Sequence, residues 1–391
     1  MRVLSFSSCF PNPSDPTAGV FVFRRLKALA TRVALAVVDP MPWFPGFERL
    51  KHLETVFPDR EEREGITVYH PRFFYFHRVF KRWDARFYDL GLRAWLRDYC
   101  RQWKPDLFDA HFSWPDGVAV SYLARRLGVP YTITLRGVIM PRYKIPHFRW
   151  RLADALEHAA AVISVNRVMA DIAVELGARH DRTYVIPNGV QTDRFDVVPQ
   201  DQARQRLGLP RGVPIIVSVA SLIPQKGHAE LIEALAELPP EVQLVIVGSE
   251  AGDGSYRCVL ESLAARNGLA DRVTFAGRQP QDAVAAYLSA ADLSVLASHS
   301  EGCPNVVIES LACGTPVVAT AVGGIPEIIR PGENGEIVPP QNPKALGAAL
   351  KAGLARSWSR QAVRQSVASR SWDKVAQEVV EVFRTVVADR R

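Results

Sequence analysis

The stretch Ser298-His299-Ser300-Glu301-Gly302-Cys303-Pro304-Asn305-Val306-Val307-Ile308-Glu309 puts two carboxylates around a Gly-Cys-Pro turn. A strand over 293–297 is predicted to end in the polar loop 298–303. Pro304 suits the first turn of a helix, where its missing N–H costs nothing. Gly314 suits the position just past the helix end, and Thr315-Pro316 starts the next strand. A helix amino terminus is therefore expected at the carboxyl end of a strand. The amides of Asn305, Val306 and Val307 would be open there, and with the helix dipole they make an anion site. Glu301 in the loop and Glu309 in the helix can accept hydrogen bonds from sugar hydroxyls, but neither can hold phosphate. A lone helix glutamate is more often solvated; the apolar neighbours of Glu309 weigh against that reading here.

Other groups lie at predicted strand ends. In the second half these are Lys226 in Ile223-Pro224-Gln225-Lys226-Gly227, Gly248 after the strand 244–247, and the Gly277-Arg278 turn. In the first half Gly19 opens a helix after a Pro-rich loop, where a glycine lets backbone approach a phosphate. Asp109-Ala110-His111-Phe112-Ser113-Trp114-Pro115-Asp116-Gly117 ends a strand and begins a helix, which sets His111 at a strand end. Arg136 ends another strand in Thr134-Leu135-Arg136-Gly137. Seen singly, each has a plain reading: a surface lysine, turn glycines, a structural histidine.

Short apolar runs alternate with helical patterns through both halves, the mark of parallel strands buried on both faces. In the first half the strands are expected at 2–7, 34–38, 66–69, 107–111, 131–135, 161–165 and 184–186. In the second they are expected at 214–220, 243–247, 273–276, 293–297 and 316–319. Helices are expected at 21–29, 117–127, 227–238 and 258–267. The fold class is α/β, with two doubly wound Rossmann-like domains facing a cleft. Turn residues from Pro187 to Gly212 mark the boundary, giving domains of 1–188 and 189–371. Trp372, Val375, Ala376, Val379, Val380, Phe383, Val386 and Val387 follow helical spacing, and this last helix (372–391) is expected to cross back to the first domain.

Composition excludes other classes. The 391 residues are 48% hydrophobic and 23% charged, so the chain is neither disordered nor collagen-like. No apolar stretch reaches the roughly 18 residues of a membrane span. The amino terminus reads as a first buried strand rather than a signal peptide. Five cysteines without a CxxC pair point to free thiols in a reducing cytoplasm and to no metal site. The net charge of +7 is uneven, +9 over residues 1–188 and −2 over 189–391. A basic half suits lipid head groups, phosphorylated acceptors or nucleic acid. Within it, 72–104 interleaves nine Lys/Arg with Phe73, Phe74, Tyr75, Phe76, Phe80, Trp83, Phe87 and Tyr88. That stretch reads equally as a core helix with a basic face or as a peripheral surface for an anionic membrane.

Glu301-x7-Glu309, followed by Leu-Ala-Cys-Gly-Thr-Pro-Val-Val-Ala-Thr and Gly323-Gly324-Ile325-Pro326-Glu327, resembles the signature of the family-4 retaining glycosyltransferases with the GT-B fold. Ile186-Pro187-Asn188-Gly189-Val190 is similar to the family's interdomain junction, and 223–227 to its phosphate-binding Lys-Gly loop. The resemblance implies that Lys226 neutralises a donor diphosphate and Glu309 holds the ribose. Glu301, with Pro304 and the amides of Gly302, Cys303, Asn305, Val306 and Val307, would hold the donor sugar. Gly248 and Arg278 would border the base, Gly19 would approach the donor, and His111 would lie by the anomeric carbon. Arg136 could reach an anionic donor or acceptor, and Trp114 and Asp116 are acceptor contacts on the same reading.

The implied reaction is metal-independent transfer of a sugar from a UDP- or GDP-sugar, with retention and by front-face substitution. The acceptor would be a cell-surface polysaccharide or lipid-linked glycan precursor. No separate cofactor and no nucleic acid are expected, and the implied location is cytoplasmic, at the inner face of the membrane. Two departures stand out. Ser221 replaces the arginine common five residues before the lysine, and Ile139 replaces an aspartate common after Gly137. They keep two alternatives open: a sugar-nucleotide epimerase on the same fold, and a catalytically inactive binding subunit.

Overall fold

The computed structural model describes all residues except 13, 14, 16, 17, 44–57, 77–79, 251–254 and 391. Residues 77–79 of the basic aromatic stretch thus lie outside the described residues. The chain divides into two units, Met1–Asn188 with Trp372–Arg391, and Gly189–Ser371.

Unit 1 begins β1 (Arg2–Phe6), α1 (Val20–Ala30), β2 (Ala34–Val38), β3 (Met41–Trp43), β4 (Arg60–Arg63), β5 (Ile66–Tyr69) and β6 (Arg72–Phe74). It continues α2 (Asp84–Trp103), β7 (Leu107–His111), α3 (Val118–Leu127), β8 (Tyr131–Leu135), α4 (Pro146–Glu157), β9 (Ala161–Ser164), α5 (Arg167–Glu175) and β10 (Thr183–Val185). Eight strands form one sheet in the order β10-β9-β8-β7-β1-β2-β5-β4, parallel except for the edge pair β4–β5. The strand order reverses at β1, so the exits of β1 and β7 lie side by side.

Unit 2 runs α6 (Gln200–Leu207), β11 (Ile215–Val219), α7 (His228–Leu235), β12 (Gln243–Val247), α8 (Ser255–Arg266), β13 (Val273–Gly277), α9 (Gln281–Ala290) and β14 (Leu293–Leu296). Then come α10 (Asn305–Ala312), β15 (Val317–Thr320), α11 (Ile325–Ile328), β16 (Gly335–Val338), α12 (Pro343–Ala355) and α13 (Arg360–Gln365). Its six parallel strands are ordered β13-β12-β11-β14-β15-β16.

Each unit opens its first strand-to-helix turn with a left-handed glycine jammed against backbone. Gly19 (φ 56°) precedes α1, and a Cβ there would sit 1.9 Å from the Cys9 carbonyl oxygen. Gly227 (φ 67°) precedes α7, and its Cβ would sit 2.0 Å from the Ala297 carbonyl oxygen. No side chain fits either place, and left-handed backbone is itself costly for other residues.

The last helix, α14 (Trp372–Ala388), belongs to unit 1. Its buried stripe of Trp372, Val375, Ala376, Val379, Val380, Val382, Phe383 and Val386 joins one core with Val22, Phe23, Leu26 and Leu29 of α1 and Val3 and Val37 of the sheet. The exposed pairs Arg32–Asp373 (2.7 Å) and Arg182–Asp389 (2.5 Å) tie its ends but contribute little. Phe383→Ala should therefore destabilise unit 1 by roughly 3–5 kcal/mol, whereas Asp373→Ala should change it by under about 1 kcal/mol. Urea unfolding followed by circular dichroism checks this, and equal small effects would remove the helix from the core.

Candidate functional site

In unit 2 the chemistry collects at the exits of β11, β12, β14 and β15. Lys226 ends a single tight turn, Pro224–Lys226, just ahead of Gly227. That turn is fastened to the exit of β14: the His299 N–H donates to the Gln225 carbonyl at 2.9 Å. Lys226 Nζ donates to Glu301 Oε1 at 2.6 Å, and Ser298 Oγ donates to the same oxygen at 2.6 Å. Thr320 Oγ1 donates to the Ser298 carbonyl at 2.6 Å, fixing the loop from β15. Gly323 (φ 56°) closes on the loop's other side, where a Cβ would lie 2.1 Å from the Glu301 carbonyl oxygen. The Gly324 N–H donates to the Gly302 carbonyl at 2.8 Å.

The helix after this loop starts at Asn305, one residue later than expected, and Pro304 sits just ahead of it with φ −72°. This corrects one detail of the anion site. The Val307 N–H donates to the Pro304 carbonyl at 3.2 Å, so it is used inside the turn. Gly314 does take the left-handed position after the helix, at φ 74°. Glu309 is half-buried one turn into α10.

Gly248 follows β12, and a Cβ there would lie 1.9 Å from the Ala220 carbonyl oxygen. Its N–H donates to the Gly277 carbonyl at 2.9 Å, which brings Gly248 and the exposed Arg278 into one rim. Ser221, at the position of the missing arginine, is exposed, and its carbonyl lies 3.2 Å from Nε2 of His228. Burial lowers the pKa of His228, so the ring is a neutral clamp between the β11 exit and α7. Sequence reasoning missed His228 and Ser298.

In unit 1 the strand register lines up Ser5, Asp109 and Thr132 across β1, β7 and β8, with His111 beside Thr134. Asp109 is fully buried; it accepts from Thr132 Oγ1 at 2.9 Å and Ser5 Oγ at 3.3 Å, and His111 Nε2 lies 3.0 Å away. Burial alone would raise the Asp109 carboxyl, but His111, buried Arg25 and Thr132 together hold it below the usual carboxylate range. Burial outweighs Asp109 and, with the Arg136 and Arg25 charges, lowers His111 to about 4. His111 is therefore neutral at pH 7. Its other nitrogen, Nδ1, lies 3.4 Å from Nε of Arg136, whose guanidinium also donates to Asn188 Oδ1 at 2.9 Å and lies 5.2 Å from the Phe21 ring centroid.

This bears on three expectations. The His111 ring is 0% exposed, so it reaches outward through half-buried Arg136 rather than by its own nitrogens. Asp116 is also 0% exposed, and its two oxygens accept the Ser8 N–H and Oγ–H at 2.7 Å each. It holds the β1 exit loop, and burial raises it to about 7. Trp114 is buried, its ring edge-on to Phe148 at 4.8 Å. Ile139 is fully buried, so an apolar core contact occupies the place of the missing aspartate. Asp109 and Arg25 went unread, though both broke a pattern: an acid inside a buried strand, and an arginine on the apolar stripe Val22-Leu26-Leu29.

Residues 199–370 match the model of glycosyl transferases group 1, and residues 10–194 that of Glycosyltransferase Family 4. A protein named for teichuronic acid biosynthesis, a glycosyltransferase of Bacillus subtilis, is 30% identical over 363 residues, covering 90% of this chain and 88% of that one. A D-inositol 3-phosphate glycosyltransferase of Acidothermus cellulolyticus is 33% identical over 308 residues, 73% of this chain and 68% of that one. Sucrose-phosphate synthase from Thermosynechococcus elongatus superposes with a TM-score of 0.82 at 25% identity over both full chains. Anabaena HepE, solved with UDP, shares the fold with a TM-score of 0.78 at 22% identity, covering 98% of this chain and 99% of that one.

The opposed shifts of His111 and Asp116 give a pH test. A free imidazole protonates near 6.5 but this one only near 4, so its contribution is complete above about 6.5 and is lost as pH falls toward 4. Asp116 does the reverse, contributing below about 4 and losing it as pH rises through about 7. Relative to the parent, His111→Gln should gain stability at pH 5 against pH 7, and Asp116→Asn should lose it. Urea midpoints at the two pH values decide, and the same sign for both would refute the assignment.

Proposed function

On the premise that the chain belongs to the group 1, family-4 glycosyltransferases, we propose the following division of labour for its transfer of sugar from a nucleotide-sugar donor. Unit 2 takes the donor: Lys226 and the amino end of α10 meet the diphosphate, Glu309 the ribose, Glu301 the sugar hydroxyls, and Gly248 and Arg278 the base. Unit 1 takes the acceptor side, with Arg136 held by His111 and Asn188. His111 is thus a positioning residue, and Gly19 keeps the β1 exit open to a phosphate.

The acceptor oxygen forms its bond to the anomeric carbon as the bond from that carbon to the β-phosphate oxygen breaks. The electron pair leaves with the nucleoside diphosphate, and that phosphate takes the acceptor proton on the same face, giving retention. Lys226 offsets the growing charge, which lets the step proceed without a metal. The Lys226–Glu301 pair beside the α10 amino end carries this reading.

UDP is the first choice of nucleotide, because HepE was solved with UDP. The Bacillus relative's name favours a cell-surface polysaccharide or lipid-linked acceptor. Such work belongs on the cytoplasmic face of a membrane, and a surface of unit 1 suits it. Phe80, Trp83, Ile145 and Trp150 are exposed, and Arg151 lies 5.8 Å and 4.3 Å from the Trp83 and Trp150 rings. Near them in the chain stand Lys81, Arg82, Arg86, Arg142, Lys144 and Arg149, of which Lys81 faces Asp84 at 3.6 Å, Arg86 Asp89 at 4.0 Å and Arg149 Glu175 at 3.0 Å. Aromatic side chains among an excess of basic charge fit an anionic bilayer. Most aromatics of 72–104 instead pack on each other, as Phe74, Phe76 and Phe87 do. No helix of the described residues is long and apolar enough to cross a membrane.

UDP should raise the melting temperature, Glu309→Ala should abolish that rise, and Lys226→Met should lower turnover by roughly 100-fold or more. Conversion of donor alone to an epimer would overturn the transfer reading. Vesicles with phosphatidylglycerol should sediment the protein where phosphatidylcholine vesicles do not. The doubly substituted Trp83→Ser, Trp150→Ser protein should stay in solution while keeping its activity on a soluble acceptor.

A further inference from the structure

Glu301 and Lys226 neutralise one another across 2.6 Å, and both are largely sheltered, with side-chain exposures of 10% and 24%. The pair is not a mobile surface contact. Gly227 locks the lysine turn onto Ala297, and Gly323 locks the glutamate loop from the other side. One glutamate oxygen, Oε1, takes both Lys226 and Ser298, while Oε2 has no hydrogen bond from the described residues. Ser221 adds no second cation to the neighbourhood. The group that attracts a diphosphate is therefore already compensated by a carboxylate that repels one.

We propose that Glu301 is a specificity-determining residue that discriminates the complete nucleotide sugar from bare nucleoside diphosphate. This rests on the donor reading above. A diphosphate that draws Lys226 away leaves the Glu301 charge uncompensated beside its own negative oxygens. A sugar carried on that diphosphate repairs the loss, because its hydroxyls donate to Oε1 and to the open Oε2. A nucleoside diphosphate without sugar has no such hydroxyls at that place, so Glu301 reclaims Lys226 and drives the product out. The fixed loop matters: a carboxylate free to swing into water would impose no penalty.

The test is calorimetric titration of the full chain with UDP, GDP, UDP-glucose and GDP-mannose, for the parent and for Glu301→Gln. The amide keeps shape and an acceptor oxygen but removes the charge. Bare UDP or GDP should bind the variant roughly 5- to 20-fold more tightly, and the sugar form no more tightly than it binds the parent. Product inhibition should deepen in step, and the gain should shrink at high salt. Glu301→Ala should give the same sign if the amide variant folds poorly. Weaker or equal binding of the bare nucleotide, or an equal gain for nucleotide and nucleotide sugar, overturns the inference while leaving the donor site standing. A parent protein that binds none of the four overturns the donor reading and this inference with it.

Discussion

Backbone pressed against backbone at the strand exits is the constraint on which the donor site depends. Gly227 on Ala297, Gly248 on Ala220 and Gly323 on Glu301 each leave about 2 Å where a Cβ would go. Such contacts are possible only without side chains, and they set loops at distances that side-chain packing could not hold. Lys226 and Glu301 lie 75 positions apart in the chain, yet they meet because two of these contacts fix their loops. Ser298 and Thr320 complete the arrangement with hydrogen bonds from β14 and β15.

Unit 1 adds a buried charge to its own close glycine contact at Gly19. Asp109 is fully buried, and its ionised form persists because strand register delivers Ser5 and Thr132 to it and α1 delivers Arg25. A buried ion without such partners would neutralise instead. The cost is matched by an ordering effect outward: Asp109 fixes the His111 ring, and the ring meets Arg136. The position of Arg136 therefore answers to buried residues spread over three strands.

Much of the fold is legible along the chain. Leu107–His111 and Gln243–Val247 have the expected bounds because buried parallel strands are short apolar runs with clear stops. The helix at 372 is equally plain from its stripe. Gln281–Ala290 and Pro343–Ala355 were not expected as helices, since alanine- and glycine-rich segments carry weak periodicity. Arg60-Glu61-Glu62-Arg63 has no strand signal at all; it is an edge strand whose pairing with β5 supplies its form. In the site, types and loops could be read, but which groups touch could not. The inward turn of His111 and Asp116 comes from register and burial, and single residues do not announce either.

The return of α14 to the first unit reverses the order of completion during synthesis. The ribosome finishes unit 2 while unit 1 still lacks the helix that covers Phe23, Leu26 and Leu29. The earlier-made half must wait with an apolar strip of α1 uncovered until the codons for 372–388 are read, and until then is the more exposed to aggregation or to chaperone capture. Stop codons early in 372–388 would thus damage unit 1 and spare unit 2.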